Sequence, residues 1–362
     1  MGDHQSQEPI EGGQPRATQV EPQESDDPVE VDDNPHEEDS SYGDSEASSS
    51  YLSSLKSSVF NYKYEASQIA TAYIALDVNK PAEWPPLPCI SRGSPNDDEE
   101  QDRMDLAHHI YRLLIGGKLH LAPIGENPQR VLDLGTGTGI WAMDFADEYP
   151  SADVRGTDLS PIQPKWTPPN CSFEVDDFEA DWLYRRPFDF IHGRELEGCL
   201  SNDKKLFQQA FKHLSPGGYI ELQAAYPPLK SDDDTGAKAT DFHKWVNTIC
   251  DASAKFGKPL TCAPEWRAML EEVGFVDVQQ EIRKVPMGPW PKDPKLKEIG
   301  KFQAVQEAQV IDSYTPGLFG RVLGWSEEEI QVFVAKVKRD LTDPNIHLYQ
   351  QLYFIWGRKP EV

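Results

Sequence analysis

The stretch Asp133-Leu134-Gly135-Thr136-Gly137-Thr138-Gly139 constrains this chain more than any other. It follows the short apolar run Arg130 to Leu134 and leads into a helix-like stretch from Ile140 to Glu148. Glycines at this spacing let the backbone turn sharply from strand to helix and approach a ligand without interference from a Cβ. The helix N-terminus behind them offers free N–H groups. A dinucleotide fingerprint would read G-x-G-x-x-G, with a pyrophosphate at that N-terminus. Here the spacing is G-x-G-x-G, and Ile140 stands where the last glycine of that fingerprint belongs. Asp133 just before the loop would repel a pyrophosphate but suits an ammonium group. A ligand with an amino-acid end and an adenosine end therefore fits better than a dinucleotide.

Downstream the pattern repeats as short strands alternating with helices. Strands are expected at Val154–Thr157, ending at Asp158; at Ser172–Val175, ending at Asp176-Asp177; at Phe188–Ile191, ending at His192; and at Tyr219–Leu222. A helix over Lys204–His213 and a turn Ser215-Pro216-Gly217-Gly218 precede the last of these. Such alternation predicts a parallel sheet with right-handed crossovers, whose ligands bind beyond the strand C-termini. Asp158 is placed to accept both ribose hydroxyls, Asp177 to accept from an adenine amine, and the Phe178 N–H to meet a ring nitrogen. Beyond Leu222 the spacing predicts helices at Ala237–Lys255, Glu265–Val273, Leu296–Ile311 and Ser326–Leu341, with strands at Val276–Val285 and His347–Trp356. Ser326 with Glu329 reads as a capping box. Upstream, Met104, Ala107, Tyr111 and Leu114 fall at helical spacing, stopped by Gly116-Gly117.

These residues resemble a known family. Val131 to Trp141 is similar to motif I of class I S-adenosylmethionine-dependent methyltransferases, in the form carried by fungal LaeA-like methyltransferases. Gly156 to Pro164, Phe173 to Asp177, Phe188 to Arg194, Leu214 to Glu221, Gly288 to Asp293 and Leu323 to Ser326 match as well. The resemblance covers about residues 97 to 360. It implies a Rossmann-like α/β fold with a mostly parallel seven-stranded sheet flanked by helices, and S-adenosyl-L-methionine as cofactor. By motif, Asp133, Gly135, Thr136, Gly137 and Gly139 should meet its methionine portion. Asp158 and Leu159 should meet the ribose, and Asp176, Asp177 and Phe178 the adenine. His192 and Arg194 should lie near the sulfonium, with His192 the candidate general base. The family usually carries a Glu-Asn-Gly-Arg-Arg-Tyr-His-like segment before the first helix. Here Tyr64-Glu65 is followed by Ala66-Ser67-Gln68, and a Pro-rich run, Pro81 to Pro88, comes after. That departure bears on cofactor closure and turnover.

Charge and composition organise the rest. Residues 1 to 50 carry fifteen of the 61 acidic side chains and one basic one, Arg16, and almost no large apolar groups. Such a segment cannot bury enough surface to offset chain entropy and is expected to be a disordered acidic tail. The expected organisation is that tail, an irregular or partly ordered lid segment over 51 to 96, and a methyltransferase domain over 97 to 362. Its cofactor core would span 128 to 225 and its substrate-side helices and last strands 226 to 362. A net charge of -26 argues against nucleic-acid binding and against an anionic membrane surface. Five scattered cysteines without a C-x-x-C pair suit an intracellular protein, in the cytoplasm, the nucleus or both. No metal site is expected, since no cluster has ligand spacing and His108-His109 point apart on a helix.

Three functions compete at this level. One is methyl transfer to O or N of a small secondary metabolite. Another is regulation in the nucleus through protein partners, for which the acidic tail would serve. The third is cofactor binding without turnover. Trp245, Trp266, Trp290 and Trp325 are candidates to line an acceptor pocket, and His243 to face it. Glu195 and Glu197 read as solvated or helix-start residues, and Lys336, Lys338 and Arg339 as a solvated face.

Overall fold

The computed structural model describes residues 27–32, 52 and 98–361. Its centre is a seven-stranded sheet in the order β3-β2-β1-β4-β5-β7-β6. The first five strands are β1 (Arg130–Leu134), β2 (Asp153–Asp158), β3 (Cys171–Val175), β4 (Phe188–Arg194) and β5 (Leu214–Lys230), followed by β6 (Val276–Pro286) and β7 (Tyr349–Arg358). The first five are parallel to one another, and β7 runs antiparallel to both β5 and β6. The chain order reverses between β1 and β4, which opens a crevice beyond their C-terminal ends, where doubly wound sheets take ligands. The mostly parallel Rossmann-like sheet expected from the sequence is therefore present.

Burial on both faces explains why the central strands read as apolar runs. Val131, Leu132, Phe190, Ile191, Ile220 and Leu222 are all inaccessible to solvent. Helices α2 (Ile140–Glu148) and α3 (Asp203–His213) follow β1 and β4. Further along the chain come α4 (Thr240–Lys255), α5 (Ala263–Val273), α6 (Pro294–Thr315) and α7 (Glu327–Thr342), of which α5 packs on α3. The capping box forms as read, with Ser326 accepting from the Glu329 N–H and the Glu329 carboxylate accepting from the Ser326 N–H. Gly274, at φ 114°, ends α5 in the left-handed region.

Several boundaries differ from the expectation. The helix foreseen from Ala237 is divided: a short 3₁₀ turn, Thr235–Lys238, precedes α4, because Ala239 leaves helical geometry between them. Strand β5 starts at Leu214 rather than Tyr219, absorbing the expected turn, with Gly217 at φ 78° and a register shift opposite Phe188 and Phe190. Helix α1 (Asp98–Leu114), by contrast, carries Met104, Ala107, Tyr111 and Leu114 as expected, with acids filling its first turn.

The disordered-tail expectation needs correction for six residues. Residues 27–32 lie along the body: Val31 bridges Pro291 antiparallel, the Asp32 N–H donates to the Trp290 carbonyl at 2.9 Å, and the Lys292 N–H to that of Glu30 at 2.9 Å. Glu30 pairs with Lys292 and Asp32 with Lys297. Backbone pairing plus lysines facing acids holds a segment that has little apolar surface of its own. The remainder of the tail, and the 51–96 segment apart from Leu52, which is buried in the core, lie outside the described residues.

Candidate functional site

The glycine loop turns as its composition requires. Gly135, Gly137 and Gly139 have φ of 64°, 55° and 82°, values that side-chain-bearing residues seldom adopt. A Cβ on Gly139 would stand 2.3 Å from the Phe173 ring, so β3 packs directly against the loop's exit. Leu196 stands against Gly135, and Met104 of α1 lies over Gly137. Helix α1 is pinned there by Thr138, whose hydroxyl donates to Asp105 at 2.8 Å.

Asp133 is turned inward. Its Oδ1 accepts from His192 Nδ1 at 2.7 Å and its Oδ2 from the Thr136 hydroxyl at 2.5 Å. The His192 ring lies flat on Trp141, with centroids 3.7 Å apart, and has no solvent-exposed surface. Burial lowers its pKa below the ordinary histidine range, and its Nε2 has no protein hydrogen-bond partner. The three side chains brace the loop from behind.

Asp158 ends β2 at the front of the loop. Its Oδ2 accepts the Gly137 N–H at 2.9 Å and its Oδ1 the Ser160 N–H at 2.8 Å. Burial raises its pKa, opposed by these donors. It remains partly exposed, and a carboxylate has about four acceptor positions, so two hydroxyls can still be received. Gln163 straps the same corner, donating to the carbonyls of Gly137 and Ser160 at 2.6 and 2.9 Å. Leu159, Asp176 and Asp177 are exposed beside it, with Asp177 Oδ1 accepting from the Glu179 N–H, and Phe178 is buried under them. A glycine backbone half-exposed at Gly135 and Gly137, a carboxylate with spare lone pairs and exposed acids at the next strand tip together suit an adenosyl amino acid.

Arg194 ends β4 and is half-buried. Its Nη1 lies 3.0 Å from His108 Nδ1, and its guanidinium sits 5.2 Å above the Tyr111 ring. His108 Nε2 in turn meets Asp144 at 3.0 Å, as does Arg112 at 2.7 Å. Burial pushes the His108 pKa down to about 4, so its neutral ring can accept from Arg194 and donate to Asp144. This chain ties the tip of β4 to α1 and α2. The sequence hinted at none of it, because the partners are 36 and 86 residues apart.

The next residues overturn one expectation. Glu197 is buried rather than solvated, and Glu195 is half-buried with φ 53°. Both line a half-open cavity between α1, α4, α6 and the end of β5. Of the four tryptophans considered as pocket lining, Trp245 reaches it. Trp266 and Trp290 are buried elsewhere, bonded to Asp203 and the Leu348 carbonyl. His243 bonds the Gly236 carbonyl instead. Glu195 and Glu197 were discoverable in principle as acids just past a strand tip, but only the fold shows that they turn inward.

Among the described residues, no three His, Cys, Asp or Glu side chains are grouped so as to hold a metal ion, and no helix is long and apolar enough to cross a membrane.

Comparison with known proteins bears on this arrangement. A methyltransferase domain model matches residues 106–280. The chain is 37% identical over 312 residues to methyltransferase pytC of Aspergillus terreus, covering 86% of this chain and 92% of that protein. It is 33% identical over 271 residues to the secondary metabolism regulator laeA of Emericella nidulans, covering 74% and 72%. Among solved structures, phosphoethanolamine N-methyltransferase 2 of Haemonchus contortus, in complex with S-adenosyl-L-methionine, aligns with a TM-score of 0.38 at 18% identity, over 74% of this chain and 54% of that one.

Proposed function

The chain belongs to the LaeA-like class I methyltransferases, and from that premise we propose that it transfers a methyl group to an oxygen or nitrogen of a small molecule, a secondary metabolite. S-adenosyl-L-methionine is its cofactor; when bound, the sulfonium supplies a methyl group already activated by positive charge. Asp158 would receive the ribose hydroxyls, Asp177 and the Phe178 N–H the adenine, and the loop from Gly135 to Gly139 the methionine portion.

What the protein adds is placement, which can be worth ~7–11 kcal/mol when reacting atoms are held in line. Asp133, Thr136 and His192 hold the loop in its left-handed turns. Arg194, fixed by His108, holds the strand tip next to it. His192 serves in this reading as a positioning residue, since a ring with no accessible surface offers no atom to an acceptor. The observation that carries the small-molecule reading is the half-open cavity just past β4, lined by Glu195 and Glu197, whose neighbour Leu196 packs on the glycine loop. An acceptor there would sit next to the cofactor site.

A regulatory reading has one support: likeness to a secondary metabolism regulator over most of the domain. Incubating the full chain with methyl-labelled cofactor and a cell extract separates the readings. Label in small molecules supports the proposal, and label confined to protein supports the regulator. Cofactor binding without any labelled product would leave a binding protein.

A further inference from the structure

The cavity beyond β4 has a volume of about 120 Å³, close to the roughly 150 Å³ of an engineered apolar cavity that takes one benzene ring. One wall is apolar, made by Trp245, Val246, Ile249 and Leu260. The other carries Glu195, Glu197 and Glu307 together with Tyr111. Arg103 is the cation that lines it, and its guanidinium is already held by both oxygens of Glu100, at 2.9 and 3.0 Å. Among the described residues it is the one cation of the lining, and its charge also bears on Glu195 and Glu307, so three glutamates share a cation already paired with Glu100.

Their hydrogen bonding is incomplete as well. Glu197 Oε1 accepts the Ala225 N–H at 2.9 Å, but its Oε2 is fully enclosed without a partner. The Tyr111 hydroxyl is enclosed beside Glu195. Glu307 receives a long contact, 3.4 Å, from Gln303. A buried carboxylate oxygen with nothing donating to it is unfavourable unless something fills the gap. Burial pushes both Glu197 and Glu307 up, the latter to about 7.

Resting on the small-molecule reading above, we propose that this cavity is the acceptor site and that it takes a ring-sized apolar molecule bearing an amine, with the amine nitrogen directed at Glu197 Oε2 and flanked by Glu195, Glu307 and the Tyr111 hydroxyl. An amine provides donors for the orphaned oxygen and, when protonated, charge for glutamates that outnumber the one cation beside them. A carboxylate or phosphate would bring further acceptors and negative charge to a wall already rich in both. An alcohol would bring one donor and no charge.

The test uses the full chain and three probes of similar body and different polar end: 2-phenylethylamine, 2-phenylethanol and 3-phenylpropanoate. Binding is followed by titration calorimetry, with and without S-adenosylhomocysteine. The amine is expected to bind at least about tenfold tighter than the alcohol, in line with a charge-assisted hydrogen bond, and the carboxylate to bind more weakly than either. Glu197→Gln should remove most of that preference while leaving the alcohol's affinity unchanged. The same variant without probe should melt no lower than the wild type, because a buried acid whose proton affinity burial has raised gives way to a neutral amide of the same shape. Glu307→Gln gives a second reading if Glu197→Gln fails to fold. Equal affinity for amine and alcohol, preference for the carboxylate, no amine binding, or an amine affinity untouched by both variants would overturn the assignment. Failure of S-adenosylhomocysteine to bind would strike the methyltransferase reading alone, since the probes are also titrated without it.

Discussion

Asp158 Oδ2 accepts the Gly137 N–H at 2.9 Å, so the carboxylate that closes β2 is bonded to the middle of the loop that closes β1. One residue thus shapes the glycine turn and faces the ribose position. Asp158→Ala should weaken S-adenosylhomocysteine binding on the order of 10- to 100-fold, from the ~1.5–3 kcal/mol of hydrogen bonds to a charged group. Calorimetric titration measures it, and unchanged affinity would remove Asp158 from the site.

Two loop glycines should respond differently to alanine. At Gly139 the added Cβ would meet the Phe173 ring at 2.3 Å, on top of a positive φ, so Gly139→Ala should lower stability by more than ~2 kcal/mol. At Gly137 the nearest atom is the Met104 sulfur at 3.2 Å, on a flexible side chain that can move aside. Gly137→Ala should cost only about 1 kcal/mol, mainly from backbone strain, yet weaken cofactor binding. Denaturant melts paired with titration distinguish the two outcomes.

His192→Phe keeps a ring against Trp141 but leaves Asp133 Oδ1 without its donor. It should lower the melting temperature, at a cost of about 1–3 kcal/mol, and loosen cofactor binding. The pH dependence of turnover should keep its shape. A variant as stable as the wild type, with an altered pH profile, would restore His192 as a base.

Glu307 gives a pH signature. Its carboxyl is raised by burial from an ordinary 4.5 to about 7, with Arg103 and Gln303 opposing the shift and Glu195 adding to it. Below pH 4.5 both folded and unfolded chains hold the proton and nothing is lost. As pH rises from 4.5 to 7 the unfolded chain releases it first, and stability falls by roughly 1.4 kcal/mol per unit. Glu307→Gln lacks this loss. Its stability relative to the wild type should therefore climb across that window and level off above 7, as read from melts at a series of pH values.

The docked acidic strand is also testable. Removing residues 1–26 should leave the melting temperature unchanged. Removing 1–32 should lower it by a degree or more, since the Val31 bridge and the pairs with Lys292 and Lys297 are lost. Equal melts would mean that the strand adds nothing to the body.

The legible parts of this protein were those written in local chemistry. Ser326 and Glu329 lie three residues apart, and the capping box they announce is present. Gly274 announces the end of α5 through its freedom at positive φ. Acids at 158 and 177 were placed at strand tips by the alternation of short apolar runs with helices. Residues 27–32 were misjudged because their order comes from lysines more than 250 positions away, which no composition rule can supply. Glu195 and Glu197 were misjudged for a related reason. Two acids near a strand end read as solvated unless one knows that α1, α4 and α6 close over them.

By itself the sequence determined the sheet class, the glycine turn and the identity of the acids beside it, because each depends on residues within a few positions of one another. Tertiary structure alone decided that His192 is shut in behind Asp133, that His108 reaches Arg194, and that glutamates on different elements converge on one cavity. Those outcomes depend on which distant faces meet and exclude water, and burial sets both the partners and the proton affinities of such groups.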